Sequence, residues 1–576
     1  MIILGINAYH GDAAAAVLAD GELVAAVEEE RFNRKKHSAG FPFEAIRYCV
    51  AEAGISPQEI DHVAIARDPR AHFAAKVSYV LRKRPSIRGF LSGRIKKMAH
   101  VLRARDQIEK LFGKGNIRAR FHNVEHHKAH MASSFFVSPF DKSAILSIDG
   151  FGDFVSTMWG IGEGNRMKIL GQVIFPHSLG ILYNALTQYL GFPHYGDEGK
   201  VMGLAPYGEP GYMKEFSKLI HLNNGMDFSL NSQYFCHEEE FLEDIWDEGA
   251  PVVKRIFTPA LENLLGPARE PKTPLEKRHH DVAMSLQQTL EEAVLELVNR
   301  LYRMVGQENL CLTGGVAFNS VMNGRLRREG PFRGLYIPPA AGDAGTSIGA
   351  AFMVWHQLLG MQRSFLLEHA YTGPQYSEEY IENYLKSEGE KFEVLPETEL
   401  INRTAQWIAD GKVIGWFQGR MEFGPRALGN RSIVVDPRKA EMKDVLNARI
   451  KHREPFRPFA PSVLAEKAGE WFEVGDANPF MLLVHDVLPG RRAQVPAITH
   501  VDGSGRLQTV HRETNPIYWS LIKRFEELTG VPVVLNTSFN ENEPIVCSPQ
   551  DALLCFRRTK MDVLVLGRAV IVRKED

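Results

Sequence analysis

The chain has 576 residues, 24% of them charged, and a formal net charge of -2. That length is too great for one ordinary core, so two large domains are expected, and the near-neutral balance gives no reason to expect a nucleic-acid or membrane partner. Cys49, Cys236, Cys311, Cys547 and Cys555 are widely spread with no C-x-x-C pair, which fits a reducing, cytoplasmic compartment.

Met1-Ile2-Ile3-Leu4-Gly5-Ile6 is too short for a signal sequence and reads as a buried first strand. No run of about 18 uninterrupted apolar residues, the length of a membrane span, occurs anywhere. Asn7 to Asp12 then form a polar, glycine-containing turn, and Ala13 to Leu18 and Leu23 to Val27 flank Asp20-Gly21, a strong hairpin signal. Actin-like ATPases begin in this way. His10 and Asp12, on the polar turn, are candidates for binding or deprotonating an acceptor. Residues 76–105 hold ten Lys or Arg and no Asp or Glu. A solvated insertion explains this best, with an anion-binding or membrane-surface role second.

Residues 126–130 read H-H-K-A-H in a helix-compatible stretch, which puts His126 and His130 one turn apart on one face. An apolar strand through Ala144 to Leu146 ends in Ser147-Ile148-Asp149-Gly150, and Ala341-Gly342-Asp343-Ala344-Gly345 supplies a second loop carboxylate. Two imidazoles and two carboxylates, His126, His130, Asp149 and Asp343, suit a divalent transition metal. His237 to Glu248 is an acidic, solvated segment. Apolar residues recur at three- and four-residue steps from Asp281 to Met304, a core-facing helix. The strand Asn309 to Leu312 runs into Thr313-Gly314-Gly315-Val316-Ala317 and a second helix. Gly314 and Gly315, with Asn319 and Gly342, are the expected nucleotide-binding positions, since glycines let a helix N-terminus approach a phosphate.

The texture changes near Phe365 to Gly373, so the expected domains are 1–365 and 366–576. The second half is rich in cationic loops. Residues 417–432 read F-Q-G-R-M-E-F-G-P-R-A-L-G-N-R-S ahead of the strand Ile433-Val434-Val435, and Lys451, Arg453 and Arg457 precede Pro458-Phe459-Ala460-Pro461. Arg506 follows Asp502-Gly503-Ser504-Gly505, and Val533-Val534-Leu535 runs into Asn536-Thr537-Ser538-Phe539-Asn540. Guanidinium groups on rigid loops match the fork geometry of a phosphate, so a polyanionic ligand accounts for the set.

These residues resemble the nodulation, cephamycin and aminoglycoside O-carbamoyltransferase family. The segments that carry the resemblance are E-E-E-R-F-N-R-K-K-H at 28–37, H-H-K-A-H at 126–130, D-E-G-K-V-M-G-L-A-P-Y-G at 197–208, F-G-P-R-A-L-G-N-R-S at 423–432, H-V-D-G-S-G-R-L-Q-T-V at 500–510 and L-N-T-S-F-N at 535–540. The resemblance implies an α/β protein with an N-terminal actin-like ATPase (ASKHA) domain and a C-terminal YrdC-like α/β domain. It implies that the C-terminal domain makes carbamoyl adenylate from carbamoyl phosphate and ATP, and that the N-terminal domain passes the carbamoyl group to a hydroxyl. By similarity, His126, His130, Asp149 and Asp343 hold Fe2+, with Zn2+ or Mn2+ as alternatives, and Mg2+ accompanies ATP. Arg426, Lys451, Arg457, Arg506 and Ser538 match the positions for carbamoyl phosphate and its carbamate product, with Arg426 and Lys451 also catalytic.

The expected partner is a small-molecule hydroxyl acceptor, such as a natural product of antibiotic type or a sugar, without nucleic acid or membrane. An oligomer is compatible with these halves. Two other readings compete with this one. A tRNA threonylcarbamoyl-transferase-like enzyme has similar halves, but the near-neutral charge argues against an RNA surface. A non-catalytic nucleotide-binding module would have no need of the metal and cationic sets together.

Overall fold

The first strand, β1 (Ile2–Asn7), lies at the centre of a five-stranded sheet in the computed structural model, which describes residues 1–83, 104–238, 249, 251 and 253–574. Residues 84–103 of the basic run and 239–248 of the acidic stretch fall outside the described residues. The chain divides into two units, Met1–Leu367 and Glu368–Asp576.

Strands β2 (Ala14–Ala19) and β3 (Glu22–Glu28) meander antiparallel from β1, while β4 (Ile60–Ile65) and β5 (Arg120–Asn123) add on its other side in parallel, in the order β3-β2-β1-β4-β5. Nearly every residue of β1 and β2 is buried, as expected for strands written as continuous apolar runs. Helix α1 (Phe43–Glu52) covers one face, with Ala45, Ile46, Cys49 and Val50 in the shared core.

The same plan recurs. Strands β6 (Lys142–Gly152), β7 (Val155–Glu163) and β8 (Arg166–Ile174) form an antiparallel meander. After a small ribbon of β9 (Ile220–Leu222) and β10 (Phe228–Leu230), strands β11 (Asn309–Thr313) and β12 (Gly334–Tyr336) join in parallel, giving β12-β11-β6-β7-β8. Two sheets of one topology are the duplication of an actin-like domain. In each, the turn after the first strand carries polar residues, at the strand ends where α/β folds place ligands.

Helix α2 (His126–Phe135) follows β5, the long α3 (Lys277–Val305) and α4 (Ser320–Glu329) flank β11, and α5 (Thr346–Phe352) packs on both β1 and α2. That last contact is close because glycine permits it. A Cβ at Gly349 would lie 1.8 Å from the Ala129 carbonyl oxygen on α2, and one at Gly5 would lie 2.0 Å from that of Ser347 on α5.

The second unit is built on a nine-stranded mixed sheet. Its strands are β13 (Glu393–Val394), β14 (Ile414–Phe417), β15 (Arg431–Val435), β16 (Ala460–Leu464), β17 (Leu483–Asp486), β18 (Ser504–Val510), β19 (Val533–Ser538), β20 (Val563–Leu566) and β21 (Ala569–Val572). They run in the order β13-β21-β20-β14-β15-β19-β16-β18-β17. Helices α6 (Glu397–Ala409) and α7 (Pro516–Thr529) pack on one another, burying Leu400, Ile408, Leu521 and Phe525 in the core.

Gly349→Ala tests how α2 is held. The added methyl group must push α5 from α2, and overpacking of this kind costs about 1–3 kcal/mol. A lower urea midpoint, with metal content falling in step, is the expected result.

Candidate functional site

Helix α2 starts at His126 because carboxylates take up its first amides. Glu125 accepts from His127 N at 3.2 Å and Lys128 N at 2.8 Å, and Asp153 accepts from His126 N at 3.1 Å. The four-residue step then brings Nε2 of His126 and Nε2 of His130 to 3.0 Å, with both rings fully buried. Asp149 does not end its strand at Asp149-Gly150. Strand β6 continues to Gly152, and its register with β7 shifts between Ile148 and Gly152, so Asp149 sits in a bulge, the kind of irregularity that re-aims a side chain. Asp343 opens a short 3-10 turn, Asp343–Gly345.

These four side chains meet. Asp149 Oδ2 is 3.1 Å from His126 Nε2 and 3.4 Å from His130 Nε2, and Asp343 Oδ1 is 3.5 Å from both. Their donor atoms all lie within 4.8 Å of one another. Two ligands that each bind one ion at about 2.1 Å must stand roughly 3–4 Å apart, so the spacing fits a first-row divalent metal. The electrostatics fit as well. Burial would raise Asp149, but bonds from His126 and His130 hold it well below the usual carboxylate range; burial and the neighbouring Asp149 push Asp343 up. Burial would lower His130, yet the two carboxylates raise it to about 9. Two carboxylates that cannot comfortably ionise together are what a divalent cation relieves.

His10 adjoins this centre. Its Nδ1 is 3.7 Å from Asp343 Oδ2, and its ring stacks on that of His126 with centroids 4.6 Å apart. Asp12 turns instead toward His37, 2.8 Å away. The glycine loop packs against the metal residues. Gly315 N donates to Asp149 Oδ1 at 3.0 Å and Gly314 N to Ala341 O at 2.8 Å, so neither amide is left for a phosphate. Asn319 caps α4 through Met322 N and exchanges hydrogen bonds with Gln287, and Gly342 precedes the turn that carries Asp343. Gly314, Gly315 and Asn319, the expected nucleotide positions, thus lie beside the metal residues and help to position them.

The second unit sorts its arginines. Arg420 donates to the carbonyls of Thr372 and Gly373, and the fully buried Arg431 donates to those of Gln418, Gly419, Asn430 and Pro374 while its guanidinium lies over Phe417. Arg426, Arg453 and Arg506 differ. The Nε of each is buried without a hydrogen-bond partner among the described residues, as is that of Arg431, but unlike Arg431 they crowd other arginines. Burial and Arg457 lower Arg426 to about 10 and Arg453 to about 9, while burial and the charges of Arg426, Arg453 and Arg457 hold Arg506 well below its ordinary value. Guanidinium groups stay protonated in proteins, so this crowding is borne as repulsion. Glu454, 3.8 Å from the partly exposed Arg457, offsets little of it.

Lys451 is buried and fully engaged. Its ammonium donates to Ser538 O at 2.6 Å, Asn540 O at 2.7 Å and Asn540 Oδ1 at 2.8 Å. It positions the 538–540 loop, and a direct contact to an anion would require it to give up one of these bonds. Ser538 Oγ donates to Asn540 Oδ1 at 2.7 Å. Sequence reasoning missed Glu422, whose buried carboxylate accepts from the amides of Leu428, Asn430 and Arg431 and so fixes the loop that carries Arg426. It also left Arg453 without a role. The signal for both was present, in an acid inside a glycine-rich basic loop and in the R-x-x-x-R spacing with Arg457.

The fold and these centres define a two-unit α/β protein with a metal-capable cluster in one unit and a group of crowded, buried arginines in the other. The chain belongs to the carbamoyltransferase family: the pattern described as Carbamoyltransferase N-terminus matches residues 2–352, and that described as Carbamoyltransferase C-terminus matches residues 405–573. It is 40% identical to nodulation protein NolNO of Sinorhizobium fredii over 99% of this chain and 80% of that one. It is also 45% identical to an uncharacterised protein of Synechocystis sp. over 99% of this chain and 96% of the relative. Among solved structures, T. kodakarensis HypF aligns over 62% of this chain and 48% of its own at 14% identity with a TM-score of 0.31, too low for a residue-by-residue comparison. The protein is thus a transferase of carbamoyl groups. Among the described residues no helix is long and apolar enough to cross a membrane.

Two outcomes follow from the charges. His130→Ala should lower metal affinity at least about tenfold. A metal must displace the proton that the carboxylates hold on His130, so in the wild type affinity should climb with pH and level off above about 9, with protons released on binding. Without metal, the stability that this proton lends is full below 6.5 and lost as pH rises through about 9. Calorimetry in buffers of different ionisation enthalpy reads the proton release. Arg506→Met should raise the denaturant midpoint, read by urea unfolding, by relieving repulsion.

Proposed function

We propose that the protein is an ATP-dependent O-carbamoyltransferase acting on a hydroxyl of a small molecule, a natural product or a sugar. Carbamoyl phosphate loses its phosphate to water, and the resulting carbamate attacks the α-phosphorus of ATP, releasing pyrophosphate and leaving carbamoyl adenylate. The observation that carries this reading is the cluster of Arg426, Arg453, Arg457 and Arg506. Crowded guanidinium groups, three of them buried and only Arg457 facing a carboxylate, Glu454, are stabilised when an anion joins them, and both substrates are polyanions.

Within this reading Arg426, Arg453 and Arg506 neutralise and orient the phosphates, Arg457 draws the anion in from the more exposed side, and Lys451 and Asn540 hold Ser538 in place beneath it. Glu422 keeps the 423–432 loop rigid, so no reorganisation accompanies binding. In the first unit His126, His130, Asp149 and Asp343 would hold a divalent metal, iron(II) by preference with zinc(II) or manganese(II) as alternatives. When bound, that ion supplies Lewis-acid polarisation of the phosphate leaving group. His10 keeps Asp343 turned toward His126, and Gly315 does the same for Asp149.

The test separates the two sites. Asp343→Ala should still exchange labelled pyrophosphate into ATP when carbamoyl phosphate is present, yet fail to carbamoylate any of a panel of hydroxyl compounds. Arg506→Met should lose the exchange but transfer from chemically supplied carbamoyl adenylate. If both variants fail in both assays, the two steps share one site and the division of labour is wrong.

A further inference from the structure

Like charges stay crowded only where the backbones that carry them are tied together. Arg506 belongs to strand β18, whereas Arg426 belongs to the 423–432 loop, close enough for its charge to act on Arg506. Glu422 closes that loop on itself by accepting its amides. A bond within the loop does not set how far the loop stands from β18.

A buried polar trio makes that connection. Ser462 on β16, Gln508 on β18 and Asn536 on β19 come from three adjacent strands and are at most 2% exposed. Ser462 stands opposite Gln508 in the ladder, and its hydroxyl donates to Gln508 Oε1 at 2.6 Å. Asn536 Nδ2 lies 3.0 Å from Ser462 Oγ and 3.1 Å from Gln508 Oε1. Two bonds then run from the trio to the loop. Gln508 Nε2 donates to Leu428 O at 2.8 Å, and Asn536 Nδ2 donates to Ala427 O at 3.1 Å. A backbone carbonyl only accepts, so the nitrogen of each amide must face the loop, which fixes the orientation of both side chains.

Residues two apart in a strand share a face, so Gln508 lies on the face of Arg506 and Asn536 on that of Ser538. Their neighbours along these strands, Val463, Leu507 and Leu535, are core apolar residues. Amide and hydroxyl groups in such a core are costly unless fully satisfied, and Asn536 Oδ1 is buried without a hydrogen-bond partner among the described residues. Apolar side chains of similar shape would serve the sheet as well. What they could not do is reach the carbonyls on either side of the Ala427–Leu428 peptide, directly after Arg426. Leu428 O also accepts from the Tyr371 hydroxyl at 2.9 Å, so the loop keeps an anchor there if Gln508 is removed.

We infer that Gln508, with Asn536 beside it, is a positioning residue of the anion site: it ties the strand of Arg506 to the loop of Arg426 and so sets the spacing at which the two guanidinium groups share one phosphate. The inference rests on the anion reading of the arginines given above. Without an anion the ties hold the two cations against their repulsion. With one present, the same spacing meets it without rearrangement.

The test uses the full chain and reads binding by calorimetry, with carbamoyl phosphate and inorganic phosphate as the probes. Gln508→Met keeps the length of the side chain and removes its hydrogen bonds. It should weaken both probes about tenfold or more and leave metal content unchanged. Arg426→Met should weaken them by a similar factor. The double variant decides: with Arg426 gone the loop has no guanidinium to place, so adding Gln508→Met to Arg426→Met should cost no more than about twofold in affinity. Urea unfolding of the same four proteins separates this from a general loss of stability, which would persist in full in the double variant. Gln508→Asn stays polar but is one methylene too short to span Ser462 and Leu428, and it carries the same cycle if the methionine variant does not fold. A Gln508 variant that binds both probes within about twofold of the wild type, or a double variant in which the two losses multiply, overturns the inference. If the wild type binds neither probe, the anion reading itself fails and the positioning role falls with it.

Discussion

Asp149 and Asp343 are largely buried beside two imidazoles, one of which, His130, they keep protonated, and the second unit gathers charge of one sign. There Arg426, Arg453, Arg457 and Arg506 crowd positive charge that Glu454, beside Arg457, offsets only in small part. Uncompensated buried charge is costly. The arginine centre therefore lowers the stability of its own unit and is complementary to an anion. The long helices, the paired sheets and the large apolar core of the second unit provide the stability against which this strain is set.

Keeping such charges aimed requires rigid backbone, and the chain achieves it repeatedly by giving a carboxylate to main-chain amides. Glu125 and Asp153 do so at the start of α2, and Glu422 does so around the loop of Arg426. Lys451 is the cationic counterpart, spending its ammonium on carbonyl groups of the 538–540 loop. None of these residues is placed to meet substrate directly, yet each fixes one that can.

Much of the scaffold was legible because it is local. The apolar run of β1, the hairpin at Asp20-Gly21 and the stripe of α3 are patterns of neighbours along the chain, and H-x-x-x-H fixes two imidazoles on one helical face. What the sequence concealed depends on atoms brought together from afar. That the Gly314 and Gly315 amides reach Ala341 and Asp149 shows only in the folded chain. Arg431 and Arg426 belong to one motif and look alike, but one is sealed among carbonyl oxygens and the other is not. Asp149 seemed to end a strand, and the bulge that turns it exists only in register with β7.

The metal residues come from α2, β6 and the turn before α5, so the whole second sheet and the long α3 separate His126 from Asp343 along the chain. Contacts between such distant segments form late in folding, since the intervening loop must close first. During synthesis the polypeptide can present the imidazoles and Asp149 well before Asp343 exists. If these residues hold an ion, its insertion follows completion of the first unit. Because a ligand that binds only the native state stabilises it by mass action, the lifetime of this unit in a cell becomes a function of metal supply.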